Sequence, residues 1–275
     1  MDLRFVESFL LVAKEKSIAA TARRQSVTAA AVSQRLAALE AELGVKLVTR
    51  EGRHTAITSE GQALIPSMQG MLDIQRDMAR LLAADTLTGV LRFGAISTAL
   101  GQYGSKLVSH LNSQAPEVTL QVSPGTSEEL YDAVRERRLD AAIIVKPPFA
   151  LPKALRFDRL AAQKIGIFRQ RNHAASAPYV VYDRNSWGGA QCWKALLESD
   201  SDPNVICEMD APEVIAQIVI QGLGQAVLPD WEGLPDTAGT TFVPLGHERT
   251  IGLIYWQRDA RSPLTKQLKR ALGVA

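Results

Sequence analysis

The sequence predicts an α/β protein in two parts. The first is an all-α winged helix-turn-helix head with a long trailing helix; the second is a body of two Rossmann-like α/β lobes. Three observations carry this expectation. Residues 17–43 hold two short helical patterns split by a tight turn, and two strand-like runs follow them. Residues 85–89 carry the polar and glycine residues of a linker. Beyond them strands alternate with helices, an order that implies parallel pairing.

Residues 2–15 form an amphipathic helix whose Leu3, Val6, Phe9, Leu10 and Ala13 face the pair that follows. That pair starts after Ser17 and after Thr28, because each hydroxyl accepts from an otherwise orphan backbone N–H. In the second helix Val32, Leu36, Leu39 and Leu43 fall on one stripe, and Gly44 ends it. Ala30 and Gln34 lie opposite that stripe, with Ser33 on its shoulder. A face that enters a DNA groove needs small residues plus a few that bond base edges; Gln suits adenine and Ser either base. Arg35 sits nearer the core edge, which suits phosphate contact. Residues 45–48 and 55–57 then read as strands around a basic turn, a wing that sets Arg50, Arg53 and His54 beside phosphates or the minor groove. The DNA-facing set is completed by Ser17, Thr28 and Ala29. The plainer alternative is a helical hairpin with a solvated basic turn.

From Thr58, a cap, a helical pattern runs to residue 84, with Glu60 at its positive end. Leu64, Met68, Met71, Gln75, Met78 and Leu82 repeat at spacings of four and three, a seam for a partner helix or for the chain's own core. Pro66 kinks this helix or confines its straight part to the C-terminal portion. The expected domains are residues 1–58 for the head, 59–88 for the linker helix and hinge, and 89–275 for the body. Lobe I takes 89–157 and 250–275; lobe II takes 158–249.

In lobe I the expected strands are 90–96, 118–123 and 140–145, with helices at 100–113 and 127–138. Lobe II follows with strands at 164–169, 179–182, 205–209 and 226–229, and helices at 190–199 and 212–221; a strand at 250–256 and a helix at 263–272 close the chain. Ligands of such sheets gather at the carboxyl ends of strands, where helix N-termini offer free N–H groups. Ser97 and Thr98 follow one strand, Thr126 and Ser127 the next, and Lys146 the third. Arg184, Asn185, Ser186 and Trp187 follow a strand of lobe II, Arg184 as a bidentate partner and Trp187 as an apolar wall. Lys146 and Arg184 argue for an anionic ligand. N-capping is the alternative role for the hydroxyls, and core packing for Trp187.

The ordered set Phe9, Ser17-Ile-Ala-Ala-Thr-Ala22, Val32-Ser-Gln-Arg-Leu36, Leu39-Glu40, Glu42-Leu-Gly44, Leu47, Arg50 and Ile57-Thr58 with Gly61 resembles the N-terminal domain of LysR-type transcriptional regulators. The body resembles their effector domain through Leu91-Arg92, Gly94, Leu130, Arg138-Leu-Asp-Ala-Ala142, Gly222-Leu-Gly224, Ala226 and Leu228-Pro229. The resemblance covers nearly the whole chain. It implies a periplasmic-binding-protein-like effector domain, and a homodimer or homotetramer joined through the long helix. It also implies double-stranded DNA, a small-molecule effector and RNA polymerase as partners. The chain departs from the family at Ala29-Ala30, where Gln-Pro or Gln-Ser is common. One usual base contact is thereby missing.

Net charge is +2, and its placement is more telling: residues 1–60 hold 9 Lys+Arg against 7 Asp+Glu, so the whole excess lies in the head. No apolar run suits a membrane span and no secretory signal is read, so a cytoplasmic protein with free thiols at Cys192 and Cys207 is expected. Those thiols read as structural, with redox sensing the lesser alternative. The four histidines share no ligand spacing, and no phosphate loop, Gly-x-Ser-x-Gly elbow or His-Glu-x-x-His occurs, so neither catalysis, nor a metal, nor a cofactor is expected. A regulator is the resulting reading; a DNA-anchored enzyme and a ligand-independent architectural binder are its rivals.

Overall fold

The computed structural model describes residues 1–51, 54–82, 87–172 and 176–274; the side chains of residues 50, 51, 54, 73, 76, 77 and 79–82 lie outside that description. Two compact units divide the chain, Met1–Ala84 and Asp85–Ala275.

The first unit begins with α1 (Leu3–Glu15), α2 (Ile18–Arg24) and α3 (Ala29–Leu43). The hydroxyls of Ser17 and Thr28 accept from the amides of Ala20 (3.2 Å) and Ala31 (3.1 Å), so both helices start where their caps place them. The α2–α3 turn passes through Ser26 at φ 54° and is closed by the Val27 amide on the Ala22 carbonyl, 3.0 Å. Gly44 ends α3 at φ 70°, a conformation that a side chain makes costly. Val6, Phe9, Val12, Val32, Leu36 and Leu39 form the core of this unit. Each such side chain contributes about 1.5–3 kcal/mol on burial.

The wing is the antiparallel pair β1 (Val48–Glu51) and β2 (His54–Ile57). It starts three residues later than the apolar run suggests. The reason is Glu40, 7% exposed, which accepts from the amides of Leu47 (2.9 Å) and Val48 (3.2 Å) and from Lys46 Nζ (2.6 Å) and holds that segment against α3. Then comes α4 (Ser59–Leu82), with Pro66 in its second turn.

The second unit carries β3 (Gly89–Ala95), α5 (Ser97–Gln114), β4 (Val118–Pro124), α6 (Ser127–Arg135), β5 (Ala141–Val145), β6 (Leu155–Gln170), β7 (Tyr179–Tyr182), α7 (Trp187–Ser199), β8 (Val205–Met209), α8 (Pro212–Ile220), β9 (Ala226–Pro229), β10 (Thr240–Trp256) and α9 (Pro263–Ala271). A six-stranded sheet runs in the order β4-β3-β5-β10-β6-β9, and β7 pairs with β8 in parallel. The β3–β4 and β3–β5 pairs are parallel as expected, whereas β10 and β6 pair antiparallel over most of their length. The sequence reading recovers only the 164–169 and 250–256 portions of these two strands. Pro244 and Gly246 interrupt the alternation of β10 at a bulge between Pro244 and His247.

Two cores result. One gathers the side chains of β3, α5, α6 and β5 with the last part of β10 and α9; the other gathers β7, α7, α8 and β9. They are the two lobes, and β6 and β10 run through both.

Candidate DNA-reading face and ligand cleft

On α3, Ala29, Ala30, Ser33 and Gln34 are exposed, opposite Val32 and Leu36. Ser33 Oγ donates to the Ala29 carbonyl (3.0 Å), leaving its lone pairs outward. Ser17 and Thr28 serve as helix caps. Arg35 is half-buried: its Nη1 reaches Ser8 Oγ and Gln25 Oε1, both at 3.2 Å, and ties α3 to α1 and to the turn. It therefore works inside the helix-turn-helix rather than only at its surface. The expectations for the side chains of Arg50 and His54, and for Arg53, lie outside the described residues.

Along α4 the predicted seam splits. Met68 is 2% exposed in the head's own core and Leu64 packs on it, because the first turns of α4 run against α1. Gln75 is exposed and Met78 is 55% exposed; Ile74, which the spacing omits, is 49% exposed, and Met71 is half-buried. The Leu82 side chain lies outside the described residues.

Within the second unit a cleft of about 230 Å³ lies between the lobes. Lobe I contributes Ile96, Ser97, Glu129 and the loop 124–127; lobe II contributes Tyr182, Ser186, Gly188 and Asp210. Four predicted residues, Ser97, Thr126, Ser127 and Ser186, thus line one space. Their roles differ. Thr126 and Glu129 form a reciprocal capping box on α6, Ser127 Oγ accepts from the Val145 amide (3.0 Å), and Ser186 caps α7 through the Gly189 amide (3.0 Å). Helix α5 lacks a side-chain cap: Ile96 stands at the cap position, and the amides of Ser97 and Thr98, like those of Trp187 and Gly188 at the start of α7, find no acceptor among the described residues.

The remaining predicted residues are occupied elsewhere. Arg184 is bidentate on Glu208, donating from Nη2 to Oε2 (2.7 Å) and from Nε to Oε1 (3.1 Å), and stacks on Trp193; the pairing holds the Glu208 carboxyl down at about 2. Asn185 donates its amide to Asp183 Oδ1 (2.9 Å). Lys146 is exposed and outside the cleft lining. Trp187 packs tilted against Tyr131 and edge-on against Phe149, centroids 5.7 and 5.5 Å away.

Beside the cleft lies a buried arginine, Arg249, that the sequence reading missed. Arg249, on β10, is 0% exposed; its Nε donates to Gln163 Oε1 (2.8 Å) and its Nη2 to Thr98 Oγ1 (3.1 Å). Its Nη1 has no acceptor, and no carboxylate lies within ion-pair distance among the described residues. It sits beneath Gly188, where a Cβ would come within 2.9 Å of Nη1 and 3.2 Å of the Tyr182 hydroxyl. Only a glycine wall leaves this guanidinium so close to the cleft. A buried cation without a counter-charge is costly unless something supplies one.

Asp210 and Tyr182 were also missed, although Asp210 stands at the carboxyl end of β8, where the strand-end rule would have found it. Desolvation and the neighbouring Asp183 raise the Asp210 carboxyl above its ordinary value. Burial pushes the Tyr182 hydroxyl up to about 12 and the Cys192 thiol up to about 12. Cys192 is thus an inert packing group, and both cysteines are free. No cluster of potential metal ligands occurs among the described residues.

A helix-turn-helix head followed by a two-lobed α/β body is the architecture of a class of helix-turn-helix transcriptional regulators. Residues 3–62 match the family described as bacterial regulatory helix-turn-helix protein, lysR family, and residues 84–274 match the LysR substrate binding domain. The chain belongs to the LysR family of transcriptional regulators.

It is 28% identical to the HTH-type transcriptional regulator IlvR of Caulobacter vibrioides over 98% of this chain and 97% of that protein. It is 34% identical to a probable hydrogen peroxide-inducible genes activator of Mycobacterium xenopi over 52% of this chain and 76% of that one. Among solved structures, a full-length OxyR variant from Pseudomonas aeruginosa has a TM-score of 0.73 at 22% identity, covering 99% of this chain and 94% of that one. CbnR complexed with its target DNA has a TM-score of 0.67 at 17% identity, covering 99% of each. At these identities the two structures share its fold.

Proposed function

We propose that this regulator reads duplex DNA through the exposed face of α3, Ala30, Ser33 and Gln34, and changes its DNA affinity when a small molecule occupies the interlobe cleft. The observation that carries the ligand half is Arg249, a buried guanidinium without an acidic partner beneath a polar cleft. The DNA half is supported by the capped α3 with its small-residue face, and by CbnR, which shares the fold and was solved with its target DNA. Pairing of the exposed Ile74, Gln75 and Met78 of α4 with a second copy would set two reading helices on successive major grooves, as a homodimer or pair of dimers. RNA polymerase is the further partner, and the cytoplasm the compartment, that such a role requires. No helix among the described residues is long and apolar enough to cross a membrane.

Fluorescence anisotropy against the duplex upstream of the protein's own gene, with a scrambled duplex as competitor and at several salt concentrations, tests the reading. A preference of about 10³-fold for the native duplex is expected. Equal and steeply salt-dependent binding to both would mean phosphate recognition alone and favour an architectural role. Occupancy must favour one lobe closure over another, a coupling of about 1–3 kcal/mol in such systems.

A further inference from the structure

This inference rests on the cleft being the ligand site and names the chemical class of its occupant. We propose that the cleft takes a small zwitterion, an α-amino acid in the simplest case, its carboxylate at the N-terminus of α5 above Arg249 and its ammonium against Asp210.

The anionic end follows from donors that find no acceptor among the described residues. Ser97 and Thr98 present two unbonded amides at the positive end of an 18-residue helix. Arg249 braces that same turn through Thr98 and keeps Nη1 unpartnered in a fully buried position. The N-terminus of α6, which also faces the cleft, does not compete for an anion, because Glu129 already fills it. Of the remaining helix N-termini on the cleft, α5 and α7 each keep two open amides among the described residues, and α5 is the one that Arg249 braces.

The cationic end follows from the opposite imbalance across the cleft. Asp210 lines it together with Glu129, and Asp183 and Glu213 add negative potential at Asp210. None of these four carboxylates has a basic partner among the described residues, and Glu213 Oε1 is shielded from solvent without a donor. A simple carboxylic acid would supply the counter-charge for Arg249 and meet this acidic wall. A simple amine would satisfy the wall and leave Arg249 uncompensated. Tyr182 lines the cleft together with Asp210 and packs beside Gly188 above Arg249. The volume, about 230 Å³, is below the roughly 300 Å³ at which pockets for drug-sized molecules begin, and suits a metabolite of few heavy atoms.

Isothermal titration calorimetry on the full chain with the twenty common α-amino acids tests this. The tightest is then compared with its des-amino acid and its amino alcohol, for example L-valine with 3-methylbutanoate and L-valinol. At least one amino acid should bind, and each truncated analogue should bind about tenfold or more weakly. Arg249→Met should abolish binding of the amino acid without lowering the melting temperature of the free protein. Asp210→Asn, at an exposed position that does not threaten folding, should remove the advantage of the amino acid over its des-amino analogue. If the des-amino acid binds as tightly as the amino acid, and Asp210→Asn changes nothing, the zwitterion is wrong while the cleft remains a ligand site. If no amino acid binds, the zwitterion is again wrong; the cleft reading falls with it only if a broad metabolite panel also leaves the melting temperature unmoved.

Discussion

Glu40 shows how one side chain can set a functional surface from behind. Burial raises its carboxyl, but the Lys46 ammonium and the amides of Leu47 and Val48 outweigh burial and hold it below its ordinary value. A depressed carboxylate stabilises the fold above its unfolded value and loses that contribution as pH falls through the folded one. Glu40→Gln should therefore destabilise the head at neutral pH by about 1–3 kcal/mol, with the difference shrinking as the carboxylate range is crossed downward. Urea unfolding from pH 7 to pH 3 checks it; a penalty that does not vary with pH would mean that the charge is irrelevant. On α3, Gln34→Ala should weaken specific DNA binding by about 1–3 kcal/mol and leave nonspecific binding unchanged, as anisotropy at fixed salt would show. The exposure of Ala29, Ala30, Ser33 and Gln34 on α3 was legible in the sequence, because they lie in a dense local pattern of caps and periodic apolar positions. Arg249 was not, since a basic residue within a strand looks like any solvated one. Its burial depends on Gln163, Thr98 and Gly188, which lie far from it in sequence.

At the scale of elements, caps and apolar stripes predict the helices of the head, because both are local, whereas α5 and α7 each begin three residues before the expected 100 and 190. Thr126 and Glu129 form the capping box that starts α6. Thr126→Ala should cost about 1 kcal/mol in thermal unfolding of the second unit. Pro66 interrupts α4 while the helix continues past it. Pro66→Ala restores a backbone donor and should stabilise the head by up to about 3 kcal/mol, read as a higher urea midpoint. A lower midpoint would show that the Pro66 ring is itself needed for packing. The long strands were the poorest reading. Of β6 (Leu155–Gln170) only the final third stood out, since its first residues alternate weakly and lean on β10 for partners. Similarly, Leu64 and Met68 repeat with Met71, Gln75 and Met78, and spacing alone does not tell a seam for a partner from one for the chain's own core.

At the scale of the whole molecule, the two units carry separate cores. A fragment of residues 87–275 should fold alone, show one cooperative melting transition, and respond to ligand as the full chain does while losing DNA binding. Calorimetry of fragment and full chain would reveal this, and a fragment that is unfolded would overturn it.

The position of β10 between β5 and β6 has a consequence for synthesis. The head's last core residue, Met68, has been made long before Thr240–Trp256, without which the six-stranded sheet falls into two unconnected pieces. A domain generally folds as soon as it leaves the ribosome, N-terminal first. Each nascent chain thus completes its DNA-reading head while both halves of its sensor still wait for a strand near the end of translation. A ribosome stalled before that strand would hold a reader that has no sensor.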